Sequence, residues 1–162
     1  MPEVVLSIGA NLGDRFAALQ SVVDAMPAKF SNIRVSRVFE TAPWGLADQP
    51  SFLNAAVMAE TVMDPYQVLA FAQQCEADAH RVRDIRWGPR TLDVDVIAYD
   101  ALEQSDPVLT LPHPRAHERA FVLACIADLD PAWELHGATA QQLLAQVDQA
   151  GVVPVGQLRV TS

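Results

Sequence analysis

Residues Arg81 to Asp95, RVRDIRWGPRTLDVD, pass from a basic loop into a strand. Leu92, Val94 and Val96 alternate with Asp93 and Asp95, the period of two that marks a half-buried strand, so both carboxylates leave one face. Trp87, Gly88 and Pro89 fill a helix or a strand poorly and read as a shaped loop. Four of the chain's eleven basic residues, Arg81, Arg83, Arg86 and Arg90, fall within ten positions just ahead of the carboxylates. Guanidinium groups are planar forks of donors that fit phosphate oxygens. Carboxylates about 6.6 Å apart along a strand can hold one hard cation or two cations about 3.5–4 Å apart. Together these features point to a polyphosphate site with its metal. The D-x-D pair alone is also what any strand with one wet face shows, and loop arginines beside acids could simply neutralise them.

Outward from this stretch, strands and helices alternate without a linker, repeat or low-complexity segment, so residues 1–162 are expected to form one domain. A strand is predicted at Val4 to Ile8. A Gly/Asn/Gly/Asp turn follows, in which Asp14 can cap a helix from Arg15 to about Met26, with Phe16, Leu19, Val22, Val23 and Met26 along one side. Pro27 helps end that helix. Strands are predicted near Ile33 to Phe39 and Leu53 to Thr61, and Asp64-Pro65 opens a second helix with Val68, Ala72, Cys75 and Ala79 as its buried stripe. The carboxylate strand runs to about Tyr99, with further helices near Ala116 to Asp128 and Ala140 to Gln149. The order β-α-β-β-α-β plus C-terminal extensions predicts an α+β, ferredoxin-like sheet with helices packed on it.

Composition excludes several classes. The hydrophobic content is 51% and the net charge is −9, so the basic cluster is a local pocket and not the broad basic surface that nucleic acids need. The opening MPEVVLSIGANLGD lacks a basic n-region, and no apolar run approaches a membrane span, which predicts a cytoplasmic protein. Cys75 and Cys125 lie fifty residues apart in apolar surroundings without a C-x-x-C partner and are expected to be buried thiols.

Two other motifs are weaker. A Walker A loop needs Lys-Ser/Thr after its last glycine, whereas Gly13 precedes Asp14-Arg15, so Gly9 and Gly13 read as a turn. His113 and His117 have a zinc-like spacing of four, but Pro114 marks where a helix begins and places His113 before it, with no third ligand adjacent. His80 and His136 read as surface or loop histidines. At this level a metal-dependent nucleotidyl- or glycosyltransferase and a non-catalytic ligand-binding module both remain open.

The run R-x-R-x-x-R-W-G-P-R-x-L-D-x-D resembles the central signature of the 6-hydroxymethyl-7,8-dihydropterin pyrophosphokinases. Four further blocks resemble that family in the same order. They are Ser7-Ile8-Gly9-Ala10-Asn11-Leu12-Gly13-Asp14, Glu40-Thr41-Ala42-Pro43-Trp44-Gly45, Phe52-Leu53-Asn54-Ala55-Ala56-Val57, and Leu111-Pro112-His113-Pro114-Arg115 with Arg119-Ala120-Phe121-Val122-Leu123. Five blocks in order over residues 5 to about 125 make a specific match.

The resemblance implies transfer of the β,γ-diphosphate of ATP to the pterin hydroxymethyl oxygen, releasing AMP, in folate biosynthesis. It implies two magnesium ions held by Asp93 and Asp95, with Arg81, Arg83 and Arg90 joining them in catalysis by gripping phosphate. ATP would also meet Gln73, Trp87, Val96, Thr110, His113 and Arg119. The pterin would lie between Phe52 and Phe121, with Asn54 reading its edge and Thr41, Ala42, Trp44 and Trp87 completing the contacts. The implied partners are these two small molecules, with no nucleic acid or membrane, and the implied state is a monomer. The chain departs from the family where members can carry tyrosine, at Phe52 and Pro114, and in a short Arg83–Trp87 segment that contains Asp84.

Overall fold

The computed structural model describes residues 1–11, 14–41, 51–82, 92–149 and 151–160, apart from the side chains of 80–82. Its elements are β1 (Glu3–Ala10), α1 (Arg15–Ala25), β2 (Ser31–Val35), β3 (Arg37–Thr41), β4 (Phe52–Glu60), α2 (Pro65–Val82) and β5 (Leu92–Tyr99). They continue with α3 (Ala120–Leu129), β6 (Glu134–Leu135), β7 (Ala138–Thr139), α4 (Ala140–Leu144) and β8 (Val152–Gln157). The main sheet has the order β5-β1-β4-β3-β8, and β2 also pairs with β4. Every pairing in it is antiparallel. This is the expected ferredoxin-like α+β plan, with β2 and β3 together in the place of one predicted strand.

The interruption between β2 and β3 has a local cause. Ser36 is fully buried. Its N–H donates to the Ala56 carbonyl at 2.9 Å, and its hydroxyl oxygen accepts from the Ala56 N–H at 2.9 Å. One residue of β4 is thus satisfied by a single serine, and the strand resumes beyond it without leaving a buried backbone group orphaned.

The alternation of side chains on β1, β4 and β5 gives the sheet two different faces. On the back face Val4, Leu6, Ile8, Ala10, Leu53, Ala55, Val57, Leu92, Val94 and Val96 pack in one core with α1 and α2. On the front face Val5, Ala56, Met58, Ile97 and Ala98 pack under α3 and α4. The front core stops partway along the strands, and the polar residues of the site begin there.

The sequence fixes the start of α1 and of α2. The Asp14 carboxylate accepts from the Ala17 N–H at 3.0 Å and caps α1. At α2 the Asp64 carboxylate accepts from the Gln67 N–H at 2.8 Å, and the Gln67 side-chain oxygen accepts from the Asp64 N–H at 2.9 Å. This reciprocal pair is a capping box. Leu19, Val22, Val23 and Met26 are buried as predicted, but Phe16 is 39% exposed. Its ring lies instead against Gly156 of β8, where an added Cβ would come within 2.8 Å of it. Val68, Ala72 and Cys75 of the predicted α2 stripe are buried. Both cysteines are free and buried. Burial pushes the thiols up to about 11 at Cys75 and about 12 at Cys125, which keeps them protonated and unreactive at neutral pH.

The C-terminal part differs from expectation: the helix predicted near Ala116 to Asp128 is a 3-10 turn at Ala116–Glu118 followed by α3 from Ala120. The predicted helix over 140–149 ends at Leu144, after a capping box between Thr139 and Gln142. A β6–β7 hairpin turns through His136 and Gly137, both at positive φ (51° and 86°), the conformation that suits a two-residue hairpin loop. Strand β8 adds itself to the outer side of β3. Among the described residues no helix is long and apolar enough to cross a membrane.

Candidate active site

The carboxylates of β5 stand in register with two small residues of β1. Asp93 lies opposite Gly9 and Asp95 opposite Ser7. Gly9 in turn faces Asn54 of β4, and Asn54 faces Phe39 of β3. Directly paired residues share a face, so Asp93, Asp95, Ser7, Gly9 and Asn54 form one polar surface on the front of the sheet. Asp93 is exposed and Asp95 half-buried.

A β-bulge sets what lies beside Asp95. Leu6 pairs with Val96 but Val5 pairs with Ala98, leaving Ile97 without a partner on β1. Both Ile97 and Ala98 therefore enter the α3 core. The Ile97 carbonyl accepts from the His113 N–H at 2.8 Å, which brings the 111–115 segment against the carboxylate strand. Bulges commonly re-aim groups next to sites in this way. The β6–β7 hairpin secures the same segment: a His136 ring nitrogen contacts the His113 carbonyl at 2.9 Å, and the His136 and His117 rings lie 4.3 Å apart.

His113 is consequently surrounded by charge. Burial is the largest influence and lowers its pKa below the usual imidazole value, the nearby Asp95 carboxylate opposes this, and Arg119, His136 and Arg115 lower it further. At neutral pH the ring is a neutral hydrogen-bonding group. Arg119 stands at the N-cap of α3 with extended backbone and no capping bond from its side chain.

Asn54 is held in place from two sides. It is 4% exposed, and its amide nitrogen donates to the Thr41 hydroxyl at 3.1 Å. A Cβ on Gly9 would lie 2.8 Å from the Asn54 Oδ1, so glycine is what leaves room for the amide against β1. Thr41 pairs with Phe52, which is half-buried and shares the front face with Asn54 by alternation. Phe121 occupies the first turn of α3, half-buried against the front core.

Other expected site residues fall differently. Val96 is 4% exposed within the back core, so only its backbone is left for a ligand contact. Gln73 is exposed on α2 and Thr110 half-buried, its hydroxyl donating to the Asp106 carbonyl at 3.3 Å. Ala42, Trp44, Arg83, Trp87 and Arg90 lie outside the described residues, as does the side chain of Arg81 in the last turn of α2.

Two groups to which the motifs assigned no role belong to this framework. The Glu76 carboxylate of α2 accepts from the Val94 N–H at 2.8 Å, holding the outer edge of β5 midway between the two aspartates. Arg15, Glu40 and Ser51 meet on the back of the sheet, behind Asn54 and Thr41. Neither could be found from periodicity, because each joins elements far apart in sequence.

Among the described residues no group of three or more His, Cys, Asp or Glu could hold a metal. Two carboxylates facing an open surface nevertheless suit magnesium, which keeps several waters and takes its remaining ligands from substrate phosphates.

Residues 5–131 match the family described as 7,8-dihydro-6-hydroxymethylpterin-pyrophosphokinase (HPPK). The chain is 41% identical over 155 residues to the 2-amino-4-hydroxy-6-hydroxymethyldihydropteridine pyrophosphokinase of Methylorubrum extorquens, covering 94% of this chain and 98% of that protein. It is 47% identical to the pyrophosphokinase of the same description from Mycobacterium leprae, covering 91% and 84%. A mitochondrial folate synthesis bifunctional protein of Pisum sativum is 40% identical over 130 residues, 78% of this chain but 25% of its own length. Among solved structures, an HPPK-DHPS in complex with substrates aligns with a TM-score of 0.70 at 11% identity, covering 90% of this chain and 43% of that one. Wild-type HPPK-DHPS of Plasmodium falciparum with pteroate aligns at 0.67 and 14% identity, covering 90% and 42%. These structural likenesses establish the fold, and this chain spans less than half the length of either.

Proposed function

The chain belongs to the 7,8-dihydro-6-hydroxymethylpterin-pyrophosphokinase family, and from that membership we propose how its residues divide the work. The reaction transfers the diphosphate of ATP to the hydroxymethyl group of 6-hydroxymethyl-7,8-dihydropterin, giving AMP and the pterin diphosphate for folate synthesis. We place it on the polar front of the sheet, within a single catalytic domain over 1–162 that works as a cytoplasmic monomer.

Asp93 and Asp95 would hold the magnesium, taken as two ions. When bound, magnesium neutralises phosphate charge and lowers the pKa of a coordinated hydroxyl. Arg81, Arg83 and Arg90 clamp the phosphoryl oxygens, and Arg90 follows the charge as it shifts toward the departing AMP. His113 in its neutral form and Arg119 at the start of α3 bind the same phosphate chain, with Gln73, Thr110 and the Val96 backbone on the nucleotide side. Phe52 and Phe121 stack on the pterin from opposite sides. Asn54 reads its hydrogen-bonding edge, and Thr41, Ala42, Trp44 and Trp87 enclose it. Phosphoryl transfer needs positioning and charge neutralisation more than covalent help, and this set supplies both.

The observation that carries this reading is the adjacency of Asp93, Gly9 and Asn54 in one row of the sheet, which supports a carboxylate for metal and an amide for the pterin edge working side by side. Incubation with ATP, magnesium and the hydroxymethyl pterin should yield AMP and pterin diphosphate in equal amounts. Release of ADP, or undiminished product from Asp93→Ala, would contradict it.

A further inference from the structure

Three segments that are distant in sequence meet behind the pterin reader. Arg15 opens α1, Glu40 is the fourth residue of β3, and Ser51 immediately precedes β4. Glu40 pairs with Leu53, a back-face residue, so Glu40 and Ser51 are diagonal neighbours on the face opposite the site. The Ser51 hydroxyl donates to Glu40 Oε2 at 2.6 Å. One Arg15 nitrogen donates to Glu40 Oε2 at 3.3 Å, to the Ser51 hydroxyl at 3.0 Å and to the Ser51 carbonyl at 2.7 Å. The Ser51 hydrogen bond, ahead of Arg15, holds the Glu40 carboxyl below its usual range against the opposing effect of burial.

We infer that Arg15, Glu40 and Ser51 are positioning residues for pterin binding, acting through Thr41 and Phe52. Glu40 and Ser51 are each one residue from the front-face pair Thr41 and Phe52, which face each other across β3 and β4. Thr41 is also the hydroxyl that accepts from Asn54. Among the described residues Thr41–Phe52 is the last of three β3–β4 pairs, and the end of a ladder is where pairing can fray without a lock. The cluster supplies that lock from the back, fixing where the Thr41 hydroxyl and the Phe52 ring stand on the front. Arg15 adds the first turn of α1 to it. The side chains of Arg15 and Glu40 are 29% and 38% exposed, and ion pairs this open contribute little to stability. Their effect is therefore expected in the geometry of one substrate's site rather than in the fold as a whole.

This inference rests on the pterin reading of Asn54 and Phe52, and Asn54→Ala serves as the control for that reading. The experiment measures KM for pterin and for ATP, with Tm, in Glu40→Ala, Ser51→Ala and Glu40→Gln. The expected result is a rise in pterin KM of about tenfold for Glu40→Ala and about threefold for Ser51→Ala, with ATP KM and Tm near wild type. Glu40→Gln keeps an oxygen for the Ser51 hydroxyl and should return pterin KM to within about twofold of wild type. If pterin KM is unchanged in Ser51→Ala and Glu40→Ala, or moves together with ATP KM, the inference is overturned even where Asn54→Ala weakens pterin binding. If Asn54→Ala leaves pterin KM untouched, the reading of the site itself fails and the positioning role fails with it.

Discussion

The two faces of the same three strands differ in what they ask of their sequence. On the back, every alternate residue of β1 from Val4 to Ala10 is apolar and buried beneath α1 and α2. On the front, the series begins with Val5 in the α3 core and then turns polar at Ser7 and Gly9. Strand β5 makes the same change in the opposite chain direction, from Asp93 and Asp95 to Ile97. The helical cover on the front is shorter than the sheet, and the uncovered part carries the chemistry. Core packing and the proposed substrate contacts are thus separated by face and, on the front, by position along the strand.

The largest way to break this contrast is to remove a front carboxylate. Asp93→Ala should reduce kcat roughly a thousandfold, as loss of a charge-stabilising group does, while an exposed residue leaves the unfolding free energy within about 0.5 kcal/mol. A back-face truncation should do the reverse. Leu6 is fully buried, and Leu6→Ala should cost about 3 kcal/mol in denaturant unfolding while turnover per folded molecule persists. Gly9→Ala sharpens the comparison at a front residue: the new Cβ meets Asn54 Oδ1 at 2.8 Å, so it should cost about 1–2 kcal/mol and weaken pterin more than ATP in paired titrations. The smallest effect is in pH. The folded Glu40 carboxyl lies below its ordinary 4.5, so its contribution is complete above that value and disappears as pH falls through the lowered one. Glu40→Gln should lose less stability than wild type in that acid window and differ little from it at neutral pH.

Much of this was legible because one polarity pattern encodes both burial and the site. The D-x-D alternation located β5 and the side to which its carboxylates point, and the capping residues Asp14 and Asp64 located two helix starts. What escaped depends on long-range pairing. Ser36 gives no local sign that it will interrupt a strand, since its role comes from Ala56 twenty residues away. Strand β8 contains Pro154 and Gly156, both poor strand residues, yet on a sheet edge a proline need not donate to the ladder. The missing N–H of Pro154 falls beside a register shift in the β3 pairing. Glu76 and the Arg15, Glu40 and Ser51 cluster were hidden for the same reason. Their partners are set by sheet register and helix packing, which no short motif contains. Phe16 was misplaced in the α1 core because its actual partner, Gly156, belongs to that unforeseen strand.

The most direct test compares two residues on one strand and one face, Asp95 and Ile97, by measuring kcat and unfolding free energy side by side for Asp95→Ala and Ile97→Ala. Ile97 is 1% exposed under α3, whereas Asp95 lies beyond that cover. The account predicts that Asp95→Ala loses turnover with its stability retained, and that Ile97→Ala loses about 2–4 kcal/mol of stability with turnover per folded molecule retained. An Asp95→Ala protein that still turns over, or one that unfolds as readily as Ile97→Ala, would contradict the division of this sheet into a structural and a catalytic part.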